Sequence, residues 1–255
     1  MASVRALLDC MDIDTGGSNS VLRDYFGFIR ARVPTDPDTT VAAEVSMLRQ
    51  AEALQGKHFH LNLIQVGFDL LADLDEGFEM IDYCVYRIRN IYRARSLGLG
   101  RVLHWEISSA DADGYDSIGS PGEARDLWED WGVDNDGIDT FITRTRNNTD
   151  ADDGPGLGLS PVDGDCDNGT SDDGNWGGDI ETRGFDGLSR TCAHEIGHYL
   201  GLPHNHDDGE CPATTAGQMR LMAQTGCVDD VRTAVNLTSG EGSTIRDHCR
   251  VRNGC

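Results

Sequence analysis

At 255 residues the chain is long enough for one large domain, or a domain of two lobes, and can bury a core without depending on disulfides. Its net charge of −23 makes nucleic acid and anionic membrane poor partners, and no run of about 20 apolar residues is present to span a bilayer. Aspartate supplies most of the acid, 33 Asp against 11 Glu, and aspartate favours loops over helices, so the charge is expected mainly in loops. Bound calcium, adaptation to high salt and plain solubility each account for such a composition.

Residues 1–38 read as irregular and turn-rich, and Thr39 to Gln55 favours a helix with Val41, Val45 and Leu48 on one face. His58 to Phe68 alternates Phe59, Leu61 and Leu63 with His58, His60 and Asn62, which predicts a strand with its two histidines at the surface or at an edge. Glu76 to Leu97 carries the strongest helical pattern, with Phe78, Ile81, Val85, Ile88, Ile91 and Tyr92 spaced at three and four, and Gly98 and Gly100 are expected to close it. Arg101 to Ser108 is predicted as a second strand. Ser120-Pro121-Gly122-Glu123 is a capping-box signature with proline at the first helical position, so a short helix to Trp131 should follow. Ile138 to Arg144 and Asp179 to Thr182 are further candidate strands. This strand–helix alternation argues for an α/β fold with a mostly parallel, twisted sheet.

Between Asn147 and Asp179 the chain is dominated by Asp, Gly and Asn, too long a stretch for a simple connection and therefore expected to be a functional or ion-ordered loop. Asp134, Asp136 and Asp139 form one concentration of oxygen donors, and Asp163, Asp165 and Asp167 a second, which suits calcium. The competing and stronger reading for both is solvated acidic turns. The second run is not an EF-hand, since it lacks glycine at the sixth position and has Gly174 at the twelfth.

The most informative run is 194–204, His-Glu-Ile-Gly-His-Tyr-Leu-Gly-Leu-Pro-His, on a helix predicted over Ser189 to Leu200. His194 and His198 are i and i+4, so both imidazoles leave one helix face and can reach a single zinc ion at about 2.0–2.1 Å. Glu195 sits beside the first ligand, able to approach a metal-activated water without coordinating. Gly201 supplies the left-handed residue that stops a helix, Pro203 prevents continuation, and His204 returns as the third ligand. Three neutral nitrogens leave zinc's fourth position for water, the mark of a catalytic site. The competing reading is a surface helix with satisfied histidines, and His206 is an alternative third ligand that needs a longer reach.

Beyond His204 the composition turns polar. Asp229 to Ala234 suggests a helical turn, and Leu237 to Glu241 a cap leading into a final helix through about Arg250. Five of the eight cysteines lie from Cys192 onward, as expected of a small lobe tied by bridges, with Cys211–Cys227 the first pairing expected. The even count suits a secreted protein in an oxidising compartment, although Met1 to Cys10 lacks the apolar stretch of a secretory signal. Asn147, Asn168 and Asn236 each begin an N-x-T triplet, which matters only in a eukaryotic secretory host.

The long motif, followed by Met222 in Arg220-Leu221-Met222-Ala223, resembles the metzincin metallopeptidases. His198 to Leu202 and the later Cys211 have some likeness to the pappalysin group. The resemblance covers about residues 58 to 255. It implies an upper lobe over 58–203 that includes the zinc helix, and an irregular lower lobe over 204–255 with the methionine turn and a final helix. Residues 1–57 would be an N-terminal extension and helix packing on this catalytic domain. It also implies that His194, His198 and His204 bind one zinc ion, that Glu195 is the general base, and that Met222 lies beneath the metal. The implied activity is endopeptidase cleavage of proteins or peptides by a zinc-activated water. A zinc hydrolase of a non-peptide amide and a catalytically silent binding module are the alternatives.

Overall fold

The computed structural model describes residues 56–67, 74–146, 157–166, 177–181, 184–207 and 210–254. The helix expected over Thr39 to Gln55, and Asp167, lie outside these residues. In chain order the elements are β1 (Lys57–Val66), α1 (Leu74–Arg93), β2 (Leu97–Ile107), β3 (Ser117–Ile118), α2 (Pro121–Trp131), β4 (Gly137–Thr143), β5 (Thr145–Arg146), β6 (Gly158–Leu159), β7 (Gly177–Glu181), α3 (Gly184–Tyr199), α4 (Thr215–Gln218), α5 (Ser239–Asp247) and β8 (Arg252–Asn253).

The main sheet runs in the order β2-β1-β4-β7-β6. Strands β2, β1, β4 and β7 are parallel; β6 is antiparallel to β7, and β8 is antiparallel to the start of β1. The α/β class with a mostly parallel sheet, expected from the strand–helix alternation, is the observed one. Such a sheet needs cover on both faces. Phe59, Leu61 and Leu63 point to one face, where they are buried with Ile88 and Tyr92 of α1 and with Leu188, Ile196 and Tyr199 of α3. Ile64 and Val66 point to the other face and pack with Leu127 and Trp128 of α2 and with Phe141. Helix α2 starts as its sequence predicts. The Ser120 side chain accepts a hydrogen bond from Glu123 N at 3.1 Å, and the Glu123 carboxylate accepts from Gly119 N at 2.7 Å.

The first departure from expectation concerns His58 and His60, which are buried rather than at the surface. Strand β1 lies inside the sheet between β2 and β4, and at its N-terminal end the second face is polar and buried. His60 Nδ1 accepts from Arg101 N at 2.8 Å, and Asn62 donates to Asn135 at 2.8 Å and to Asp139 at 2.6 Å. Asp136 pairs with Arg101 and with Arg252. Alternation of apolar and polar residues therefore marks two buried environments here, not an inside and an outside.

A second departure concerns the end of α1. It stops at Arg93, Ser96 turns the chain at φ 57°, and Leu97 already belongs to β2. Leu97 and Leu99 are fully buried beside Lys57 and Phe59, so packing draws them into the sheet. Gly98 and Gly100 are strand residues. At Gly100 a Cβ would fall 2.6 Å from His60 Nδ1, which is why the backbone there carries no side chain.

The chain after α3 is held by local bonds and two disulfides. Cys211–Cys227 forms as expected, and Cys166–Cys249 joins the acidic loop to the residues after α5. Helix α5 opens with a reciprocal capping box: Glu241 N donates to Thr238 Oγ1 at 3.2 Å and Thr238 N donates to the Glu241 carboxylate at 2.6 Å. It ends at Asp247, before the Arg250 expected.

Burial raises the Asp139 carboxyl from 3.8 to about 6, against the opposing effect of its Asn62 and Val133 donors. The folded protein thus keeps this proton at pH values where the unfolded chain has lost it. The stability contributed is complete below about pH 4 and is lost as pH rises through about 6. Asp139→Asn should flatten the decline in urea midpoint between about pH 4 and pH 7. An undiminished decline in the variant would show that other groups govern it.

Candidate functional site

Helix α3 begins at Gly184, five residues before the start expected, and is buried from Leu188 to Tyr199. Its end is a Schellman motif: Leu202 N donates to Gly197 O at 2.9 Å and Gly201 N donates to His198 O at 2.8 Å, with Gly201 at φ 92°. The acidic loop adds to this cap, since Asp163 N donates to His198 O at 3.0 Å and Gly164 N to Tyr199 O at 2.8 Å. This termination turns the chain back so that His204 faces His194 and His198.

The three Nε2 atoms converge, with His194 and His198 3.0 Å apart, His194 and His204 3.3 Å, and His198 and His204 3.2 Å. His194 Nδ1 lies 2.7 Å from Leu221 O, and His198 Nδ1 lies 2.7 Å from Leu202 O. A carbonyl only accepts, so each Nδ1 bears the proton and each Nε2 of this pair offers a lone pair. Lone pairs held this close repel unless something positive lies between them. Ligands about 2.0–2.1 Å from zinc at tetrahedral angles stand roughly 3.3 Å apart, close to the observed spacing. Burial lowers His194 well below its ordinary value and lowers His198 to about 4, keeping the donors neutral. Among the described residues this is the one group of three His, Cys, Asp or Glu side chains close enough to hold a metal ion.

His206 stands behind the trio, stacked on His204 at 5.5 Å between ring centres, with Nδ1 2.9 Å from the Asn205 side-chain oxygen. Met222 is fully buried beneath α3, where a Cβ on Gly197 would lie 2.7 Å from its sulfur. Ala223 N donates to Arg220 O at 3.2 Å, so Met222 sits in a tight turn, and Asn205 N donates to Met222 O at 3.2 Å. The Glu195 carboxyl lies against β6: a Cβ on Gly158 would fall 2.5 Å from Glu195 Oε1. Burial pushes Glu195 up to about 8, with Arg146 acting to lower it and Asp179 to raise it. A cation held by the histidines would lower it further.

These groups line a cleft of about 870 Å³. One wall is β6 with Ser160 and Val162, the floor is α3 with His194, Glu195 and His198, and the opposite wall is Gln224, Thr225 and Gly226.

The two acidic runs behave differently from the trio. Asp136 is engaged by arginines, Asp139 accepts from Asn62 and from Val133 N at 2.7 Å, and Asp134 is exposed, so these three do not converge. Asp165 O accepts from Tyr199 at 2.7 Å and from Arg250 at 3.0 Å, and the backbone at Asp163 caps α3. Asp163 and Asp165 of this second run thus pack against the end of α3 through their backbone.

Two functional features are absent from the sequence reading. Strand β6 lies inside the run read as an irregular loop. Arg190, fully buried one turn before His194, donates to Ala234 O, Thr225 Oγ1, Leu221 O and Ala223 O. Its position at i−4 from His194 places it on the same helix face, a signal that was available.

No family model matches the chain, and no curated protein matches it in sequence. Among solved structures, metalloproteinase-II from Bacteroides fragilis is similar with a TM-score of 0.50 at 12% identity, over 77% of this chain and 54% of that one. A structure of a chaperone–substrate complex is similar over 77% of this chain and 34% of that one, with a TM-score of 0.47 and 16% identity. The chain therefore spans about half the length of the first and a third of the second. The likeness to the Bacteroides protein is one of fold, a mixed α/β arrangement.

His204→Ala should lower the zinc retained after dialysis at least tenfold in apparent affinity, whereas His206→Ala should leave it unchanged. Elemental analysis of both variants decides it, and the reverse pattern would transfer the third ligand to His206.

Proposed function

We propose that the protein is a zinc-dependent endopeptidase of the metzincin type. The observation that carries this reading is the convergence of three Nε2 atoms beside a buried carboxyl on the floor of an open cleft. Under it, His194, His198 and His204 hold one zinc ion, with Met222 packed beneath. When bound, zinc supplies the Lewis acid that polarises a peptide carbonyl and acidifies water.

The remaining work falls to the chain itself. Glu195 accepts a proton from the attacking water and later delivers one to the leaving amine. The contact with Gly158 fixes where that carboxyl sits. Strand β6 is a sheet edge along the cleft, and its outer backbone groups suit pairing with an extended peptide. This favours a polypeptide substrate over a small amide. The disulfides agree with a secreted protein, and no described helix is long and apolar enough to cross a membrane.

The purified chain should cleave denatured casein, contain about one zinc per molecule, and lose activity in 1,10-phenanthroline. Zinc without cleavage of any protein or peptide would remove the peptidase reading, and absence of zinc would remove the site. Glu195→Gln should keep its zinc and lose about 10²–10⁴ in turnover. Gly158→Ala should also keep its zinc but turn over about 10²-fold more slowly, because the added methyl displaces the carboxyl. Full activity in either variant would refute the role given to Glu195.

A further inference from the structure

Arg190 is a charged side chain with no exposed surface, and the structure gives it no carboxylate as a hydrogen-bonding partner. Its Nε donates to Ala234 O at 3.2 Å, one Nη to Thr225 Oγ1 at 2.9 Å, and the other to Leu221 O at 3.0 Å and to Ala223 O. All are neutral acceptors. Carbonyl and hydroxyl dipoles satisfy the donors without neutralising the charge, and the carboxyl that acts on it, Glu195, does so through space and not by a hydrogen bond.

That charge stands directly behind one wall of the cleft. Thr225 lines the cleft with Gln224 and Gly226, and Thr191 lines it from the helix residue next to Arg190. Because Thr225 Oγ1 accepts from the guanidinium, its own hydroxyl proton is free to be donated elsewhere, and the cleft is the open side. Thr191 is at i−4 from Glu195, so this wall is about one helical turn from the reacting centre. The other charged or titratable groups lining the cleft are Glu195, the three histidines, His206 and Asp207. Asp207 is exposed, and Glu195 is engaged against β6.

We propose that Arg190, acting through Thr225, makes this wall a subsite for an acidic substrate side chain, Asp or Glu, next to the bond cleaved. Arg190 is a positioning and charge-supplying residue; Thr225 makes the contact. This rests on the peptidase reading for the position of the bond, but the selectivity can be measured without turnover. The protein's net charge of −23 disfavours acidic peptides as a whole, so the subsite must appear as a preference at one position only.

The test uses fluorescein-labelled peptides with an alanine host sequence and a single Glu, Ala or Lys placed at each position in turn. Binding is read by fluorescence anisotropy on zinc-loaded Glu195→Gln protein, and cleavage is read on the zinc-loaded wild type. At one position Glu should bind and be cleaved about tenfold better than Ala, with Lys worse than Ala. In the Thr225→Val background the ratio of Glu to Ala binding at that position should collapse to less than about threefold. Arg190→Gln, checked for folding by circular dichroism, should give the same loss; Thr225→Val serves if that variant does not fold. Equal binding of Glu, Ala and Lys at every position would overturn the inference, as would a Glu preference that survives in Thr225→Val. Positional Glu preference in binding with no wild-type cleavage would sustain the subsite and remove the peptidase reading.

Discussion

Two hydrogen bonds from imidazole Nδ1 to backbone carbonyls carry the rest of the site. His194 is held by Leu221 O and His198 by Leu202 O, each at 2.7 Å. These bonds select the tautomer, aim both Nε2 lone pairs at one point and restrict ring rotation. Neither acceptor is placed by the helix itself. Leu202 O depends on the Schellman turn at Gly201, and Leu221 O depends on the turn that contains Met222. Arg190 joins the two systems, because it leaves α3 and donates to the carbonyls on either side of Met222. The metal-binding geometry thus needs the helix end, the methionine turn and a buried guanidinium together.

Close approach at three glycines brings these parts within reach. Gly197 lets the Met222 sulfur lie against α3, Gly164 lets the acidic loop pack on the Tyr199 ring, and Gly158 makes room for the Glu195 carboxyl. In each case a Cβ would fall within 2.7 Å of a neighbouring heavy atom, nearer than van der Waals contact permits. None of the three has positive φ among the backbone exceptions, so glycine is required here for space and not for conformation.

This division explains what could be read from the sequence. The ligand spacing, the helix stop at Gly201, the helix caps at Ser120 and Thr238, and the Cys211–Cys227 bridge depend on residues close in the chain, so their chemistry is local and legible. The burial of His58 and His60 was not legible, because it depends on which strands flank β1. Strand β6 is two residues long and sits in an Asp- and Gly-rich stretch; only its pairing with β7 makes it a strand. The same holds for the acidic runs. Asp136 pairs with arginines, Asp139 accepts buried N–H groups and the backbone at Asp163 caps α3, contacts that charge composition does not announce.

The two walls of the cleft ask different things of a bound chain. Strand β6 offers backbone donors and acceptors, and every peptide has the complementary groups, so that wall would give register and orientation without regard to sequence. In the proposed reaction Glu195 and the three histidines would act on the peptide group itself and would be equally indifferent to side chains. Discrimination must then come from the opposite wall, where Gln224, Thr225 and Thr191 present side chains to the cleft. That wall belongs to the same segment whose carbonyls hold Arg190 and His194. A substitution there bears on both metal orientation and substrate choice, and Thr225 is included, because its hydroxyl also accepts from Arg190.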